Sequence, residues 1–289
     1  MRERAQRFDP RQEMRSKSFE VFHYSKPWDE ELQVHHHNFY EVYCFLDGEV
    51  EYWVEGSVYH LNQGDLMLIN PMVLHRPVLK PDCKVYERIV LWIDATFLEN
   101  LCSGEASLSR CFDTQRPEHT VLIRPDSLQR SAVISRLSEL VRETYSTDYA
   151  AALCAHGIFI QFMVELNRMA VSSDGAAPKG TEVSPLVSGV LEYIAAHYSE
   201  ELTLEKLSRS FFVSKYHLSH EFSRTVGTSV YRYIMLKRLI IARQMLTQGI
   251  SAGEASSLCG FNDYTNFFRA FKAEYGINPR AFATGHRQQ

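Results

Sequence analysis

The chain has 289 residues, 45% of them hydrophobic, and a formal net charge of -4 at pH 7; that is enough for two medium domains and excludes a chain that coats nucleic acid through a general basic excess. The charge is unevenly placed: residues 184–289 carry 12 Lys+Arg against 8 Asp+Glu, whereas residues 1–183 carry 19 against 27, so only the C-terminal part suits a DNA-facing surface. The six cysteines (Cys44, Cys83, Cys102, Cys111, Cys154 and Cys259) contain no C-x-x-C pair, which argues against a zinc finger or a disulfide scaffold. A charged N-terminus, and no run of 18 apolar residues, predict a soluble cytoplasmic protein with no membrane partner.

Residues 1–18 are polar and charged and read as a flexible arm, of the kind that sometimes folds over a ligand. From 19 to 93 the pattern becomes short and alternating. Strands over 40–46, 50–54, 58–61 and 66–69 are separated by Asp47-Gly48, Glu55-Gly56, the turn at 62–65 and Asn70-Pro71. Closely spaced strands with tight turns predict an antiparallel barrel or sandwich.

Within this region His35-His36-His37 precede Glu41 and Gly48, and Gly64-Asp65 lead through Pro71 to His75. The first spacing resembles the opening motif of cupin barrels and the second their shorter motif, with Met72 and Val73 where a glycine is usual. The resemblance implies a cupin-like antiparallel β-barrel over 19–171. In metal-binding cupins the matching residues His35, His37, Glu41 and His75 converge on one divalent ion, which would be iron, manganese, zinc or nickel. A second reading stays open, in which no cofactor is required and the imidazoles line a polar pocket for a small effector. Aromatic residues in short strands are mostly core. Tyr43 and Trp92, with Arg88, are placed to stack on and hydrogen-bond a sugar or another small polar molecule. The expected effector pocket is therefore His35, His37, Glu41, Tyr43, His75, Arg88 and Trp92.

After Pro125 the period lengthens. Residues 126–145 place Leu128, Val133, Ile134, Leu137, Leu140 and Val141 near a 3.6 repeat, with Asp126 positioned as the cap. A second trailing helix over 149–171 is more apolar (Leu153, Ile158, Phe159, Ile160, Phe162, Met163, Leu166), which predicts burial against the barrel, a partner subunit, or both. Residues 172–183 are small, polar and proline-containing, and read as a domain linker.

Two segments of residues 184–289 repeat at an offset of 48 to 49 residues, each reading as helix, tight turn, helix. In the first, Thr203 caps a short helix and Ser214 a second one that buries Leu218 and Phe222. In the second, a short helix starts at Ser251, Gly260 makes the turn, Asn262 caps, and Phe267 and Phe271 are buried. Gly227 and Gly276 are placed to end the second helices, and 231–247 forms an amphipathic helix joining the units. An all-α bundle or solenoid would also repeat. Two repeats are too few for a solenoid, however, and each second helix keeps a polar face opposite its anchors.

The run 250–279, with Gly260-Phe261, a capping residue, Phe267, Arg269, Phe271-Lys272, Gly276 and Pro279, resembles the signature of the AraC/XylS family of bacterial transcription regulators. The resemblance covers the C-terminal third directly, and the upstream layout resembles that family's companion domain. It implies an all-α DNA-binding domain over 184–289 whose second helices enter successive major grooves. Tyr216, Ser219 and His220 would then face bases in the first unit, and Tyr264, Thr265, Asn266 and Arg269 in the second. Arg269 suits guanine and Asn266 adenine, while Lys215, Arg224, Lys272 and Arg280 suit phosphates. The first unit departs from the family, with His220 and Ser223 where Arg and Lys are frequent, and with acidic Glu221. The expectation is a multi-domain, ligand-responsive regulator that is not an enzyme. Its expected partners are double-stranded DNA, a small-molecule effector, a second copy of the chain as homodimer, and RNA polymerase. The rival class is a metal-dependent cupin enzyme with an attached helical module.

Overall fold

The computed structural model describes residues 12–25, 33–80, 83–103, 106–116, 119–172, 180–182 and 184–286. Most of the expected arm and of the expected linker therefore lies outside the described residues. The chain divides into two compact units between Thr181 and Glu182.

The first unit runs β1 (Phe19–Tyr24), β2 (Tyr40–Gly48), β3 (Val50–Val54), β4 (Ser57–His60), β5 (Leu66–Ile69), β6 (His75–Leu79), β7 (Tyr86–Ile93), α1 (Ala95–Asn100), β8 (Cys102–Ser103), β9 (Ala106–Ser107), a 3-10 turn (Arg110–Phe112), β10 (Leu122–Ile123), α2 (Ser127–Thr144), α3 (Ala151–Ser172) and β11 (Thr181–Glu182). The strands form a five-stranded sheet in the order β1-β7-β2-β5-β10, a four-stranded sheet in the order β11-β4-β3-β6, and the small β8-β9 ribbon. The expected closed barrel is thus corrected to separate antiparallel sheets. Closure requires the first and last strands to pair, and here the larger sheet ends at β1 and β10. The only bridge outside the named strands, among the described residues, joins His35 to His75.

Strand parity explains why the larger sheet is buried on both faces. Val42, Cys44 and Leu46 of β2, with Ile89, Leu91 and Ile93 of β7, pack with Phe159, Phe162, Met163 and Leu166 of α3. The alternate residues Tyr43, Phe45, Val90 and Trp92 turn inward and pack with Val50, Tyr52 and Val54 of the smaller sheet. Pro77, which cannot donate to a ladder, sits on β6, an edge strand. Asp126 caps α2 in a full capping box with Gln129, but Leu128 is exposed rather than buried. On α3 the apolar excess is divided: Ile158, Phe159, Phe162, Met163 and Leu166 are buried, whereas Leu153 and Ile160, like Tyr149 just before the helix, face outward. Cys44, Cys83, Cys111, Cys154 and Cys259 are free thiols.

Past Glu182, the last residue of β11, every element of the second unit among the described residues is a helix: α4 (Pro185–His197), α5 (Leu204–Ser210), α6 (Lys215–Val226), α7 (Val230–Thr247), α8 (Ala252–Leu258), α9 (Tyr264–Tyr275) and α10 (Pro279–His286). Thr203 and Ser214 cap α5 and α6 through backbone N–H groups of Lys206 and His217. The cap of α9 is Asp263, not Asn262, because the carboxylate one residue later is the one that reaches the Thr265 N–H. Gly227 and Gly276 end α6 and α9 in the left-handed conformation. The helix α7 feeds both cores, with Tyr233 edge-on to Phe222 of the first repeat and Leu239, Ala242 and Leu246 packed with Phe267 and Phe271 of the second. No helix among the described residues is long and apolar enough to cross a membrane.

Candidate nucleic-acid interface and effector site

The two helix-turn-helix units are α5–α6 and α8–α9. Each second helix buries an i, i+4 pair, Leu218 with Phe222 and Phe267 with Phe271, all fully buried, so the opposite side of each helix is left outward. On α6 that side holds Lys215, Tyr216 and His220, the two rings stacked with centroids 6.1 Å apart, while Ser219 is half-buried. Its cations already face acids: Lys215 Nζ lies 3.9 Å from Glu205, and Arg224 donates to Glu221 at 2.9 Å.

On α9 the outward residues are Thr265, Asn266, Arg269 and Lys272, and Arg269 Nη2 donates to Asn266 Oδ1 at 2.9 Å. Tyr264 does not share that face. It is half-buried against Phe267 and Phe268, with its hydroxyl enclosed and Arg280 over its ring at 5.9 Å. Tyr264, expected to face bases, is thus placed on the side of Phe267 and Phe268 at the start of α9 rather than with Thr265, Asn266 and Arg269. Beside α9, Tyr231 and Arg238 of α7 with Phe261 and Asn262 line a groove that sequence reasoning missed. Arg238 is fixed by the carbonyls of Tyr198 and Glu200 at 2.8 and 2.6 Å.

In the first unit the inward parity of β2 and β7 places Glu41 opposite Trp92 and Phe45 opposite Arg88. Glu41 accepts from Trp92 Nε1 at 2.9 Å and from the Tyr52 hydroxyl at 3.3 Å. His37 Nε2 is 3.5 Å from the same carboxylate, and the ligand atoms of His37, Glu41 and His75 all lie within 4.8 Å of one another. His35 stands next to this group, its ring centroid 4.3 Å from that of His75. The expected four-residue convergence therefore resolves into three converging groups with His35 alongside. Arg88 is separate. It lies four residues along β7 from Trp92, roughly 13 Å at ordinary strand rise, where it donates to the Tyr86 carbonyl and stacks over Tyr24 and Tyr86. A chain of tyrosines lies between: Tyr52 packs on Tyr43, whose hydroxyl donates to that of Tyr86 at 2.7 Å.

The cluster is closed to solvent, with His37, Glu41 and His75 at 3%, 4% and 0% exposure. Burial, aided by the His37 charge, pushes His35 down to about 4. Burial likewise holds His75 well below the usual histidine range, with His35 and His37 adding to the effect. Burial alone would raise the Glu41 carboxyl, but the neighbouring His37 imidazole, with His35 and the Trp92 N–H, outweighs it and holds the group lower. The Tyr43 and Tyr52 hydroxyls are held protonated, first by burial. The departure at Met72 is absorbed by the backbone: Met72 takes the left-handed conformation that glycine favours, at φ +67, and its N–H donates to the His37 carbonyl at 2.8 Å. Asp65 of the second motif is structural, held by Arg124 at 2.7 Å. Sequence reasoning missed Tyr52 as a partner of Glu41, although the alternation of β3 turns it inward.

Residues 18–159 match the model of the AraC-like ligand binding domain, and residues 207–285 that of a helix-turn-helix domain. Among curated relatives, the HTH-type transcriptional activator RhaS of Salmonella arizonae is 25% identical over 259 residues, 87% of each chain. Solved structures similar to this one include the C-terminal domain of AraT, a response regulator from Geobacillus stearothermophilus (26% identity, TM-score 0.35, 38% of this chain and 89% of that one). Apo ToxT from Vibrio cholerae aligns at 12% identity with TM-score 0.38, over 93% of this chain and 98% of that one. An antiparallel sheet domain followed by paired helix-turn-helix units is the build of a transcription regulator with separate ligand-binding and DNA-binding domains. The chain belongs to the AraC family of such regulators, and double-stranded DNA is its partner.

Proposed function

We propose that this regulator is a cytoplasmic homodimer that activates transcription in response to a small polar effector, a sugar or a molecule of similar chemistry, and that it is not an enzyme. The observation that supports the effector reading is the polar interior of the first unit. A core needs no buried carboxylate, imidazoles and tyrosine hydroxyls, and enclosing them costs free energy unless they are used. His35, His37, Glu41, Tyr43, His75 and Trp92 offer hydrogen bonds and a stacking face at one end, and Arg88 a cation at the other. Because these side chains are buried, a ligand reaches them only when their cover opens. Binding then favours one of two arrangements with unequal affinity, the condition for a ligand to alter DNA binding. Thr265, Asn266 and Arg269 read bases in one groove and Tyr216, Ser219 and His220 in the other, with Lys215, Arg224, Lys272 and Arg280 on phosphates. The likeness to RhaS supports activation, with RNA polymerase as the further partner. The outward stripe of Tyr149, Leu153 and Ile160, continued past Gly157, where a built Cβ meets nothing, supports pairing of two copies through α3.

The test begins with a DNA site selected in vitro from random sequence. Small sugars, sugar acids and polyols are then screened for a change in affinity of the full chain for that site. One class is expected to change it by about 5-fold or more, and Tyr43→Phe with Trp92→Phe should lose that response. A response unchanged in both variants removes this interior from the mechanism. Sedimentation should show a dimer that Leu153→Glu converts to monomer; a wild-type monomer ends the pairing argument.

A further inference from the structure

We propose that His37, Glu41 and His75 bind one divalent transition-metal ion, with His35 beside it, and that the open positions of this ion anchor the oxygens of the effector. The second half rests on the effector reading above; the site itself rests on the hydrogen-bond pattern of the imidazoles. His35, His37 and His75 each place Nδ1 at 3.0, 2.9 and 2.9 Å from a backbone carbonyl, those of Gln33, Phe39 and Val73. A carbonyl only accepts, so each Nδ1 carries a proton, and in the neutral ring Nε2 then presents a lone pair.

The Nε2 atoms of His37 and His75 are buried with no hydrogen-bonding partner. A Glu41 oxygen lies 3.5 Å from that of His37. Two imidazole lone pairs and a carboxylate facing one another repel unless a cation or a donor stands between them. No donor to the two Nε2 atoms is found among the described residues. The three ligand atoms lie within 4.8 Å of one another, close to the roughly 3 to 4 Å between ligands on one ion when each bond is about 2.0 to 2.2 Å.

The surroundings are those of a ligand set. Each imidazole is oriented by its Nδ1–H on a carbonyl, and the Glu41 carboxylate by Trp92 and Tyr52, which is how outer-shell groups hold metal ligands. The backbone fixes the spacing as well: His35 and His75 exchange N–H to carbonyl bonds at 3.0 and 3.1 Å, and the Met72 N–H ties the turn before His75 to the His37 carbonyl. Two imidazoles and one carboxylate suit iron, manganese, cobalt, nickel or zinc, and leave positions for other oxygen ligands.

The experiment strips the full chain with a chelator and titrates it with Co(II), Zn(II), Mn(II), Ni(II) and, without oxygen, Fe(II), by calorimetry and by the Co(II) absorption spectrum. One equivalent per chain is expected, with a rise in melting temperature. Glu41→Gln, which keeps the shape of the side chain, should weaken binding by about 10-fold or more, as should His75→Gln, while the surface change His60→Gln should not. No binding by the stripped wild type, or equal binding in Glu41→Gln, overturns the site. Should His75→Gln fail to fold, Glu41→Gln and the metal-dependent melting of the wild type still decide it. A DNA-binding response to sugars that persists in stripped protein overturns the anchoring role and leaves the effector reading intact. Metal binding without any small-molecule response supports the site and sinks that reading instead.

Discussion

The two helix-turn-helix units share a frame and differ in what they present. Both have a side-chain cap on each helix, a fully buried i, i+4 pair in the second helix and a left-handed glycine after it. They part at the turn. The second has Gly260 at φ +76, where a Cβ would come 2.5 Å from the Ser199 carbonyl oxygen. The first has, 48 residues earlier, Phe212 at φ +55 with its side chain 95% exposed. They also part on the outer face: α6 pairs its candidate phosphate cations with Glu205 and Glu221, whereas α9 couples Arg269 to Asn266, two groups suited to base edges. Buried anchors and caps fix the frame, and the exposed residues are free to diverge because nothing in the core depends on them.

The largest expected effect lies at the turn. Gly260→Ala combines a left-handed backbone with a clash against main chain that cannot swing away, and should destabilise the second unit by about 3 kcal/mol or more. Calorimetry of the C-terminal transition measures it; a change within error would mean that the turn can relax. Next is the reading face. Arg269→Ala should weaken binding to the selected DNA by about 1 to 3 kcal/mol and relax preference at one base position, whereas His220→Ala should cost less than about 1 kcal/mol. Equal losses in a fluorescence-anisotropy titration would erase the asymmetry between the units. The smallest effect is Phe212→Gly, which relieves the left-handed strain without removing buried surface. It should stabilise the protein by under about 1 kcal/mol, and a loss of stability in the same calorimetric experiment would show that Phe212 packs in solution.

The C-terminal unit was the more legible region for a physical reason. Its repeats, caps and anchors are local patterns, each spanning one or two helical turns, so the spacing of Thr203, Ser214, Leu218, Phe222, Phe267 and Phe271 carries the structure directly. What the local pattern missed there was a matter of one residue: Asp263 in place of Asn262 as cap, and Tyr264 on the side of Phe267 and Phe268 rather than with Thr265, Asn266 and Arg269. The N-terminal unit was legible in its alternation but not in its pairing. Parity puts Glu41 and Tyr43 on one face of β2, and Arg88 and Trp92 on one face of β7. It says nothing of which strands are neighbours, so the sandwich could be taken for a barrel and Arg88 for a neighbour of the histidines.

The sequence by itself determined the family, the two-part organisation, the boundaries of α2, α3 and α7 to within two residues and the polar inventory of the effector domain. Tertiary structure alone decided that the sheets stay open, that three groups of the expected four converge while His35 stands alongside, and that the Nε2 atoms of His37 and His75 are buried without a hydrogen-bonding partner. Those outcomes depend on contacts between residues far apart in the chain, His37 with His75 and Glu41 with Trp92, whose geometry is set by sheet order and register rather than by any spacing along the sequence.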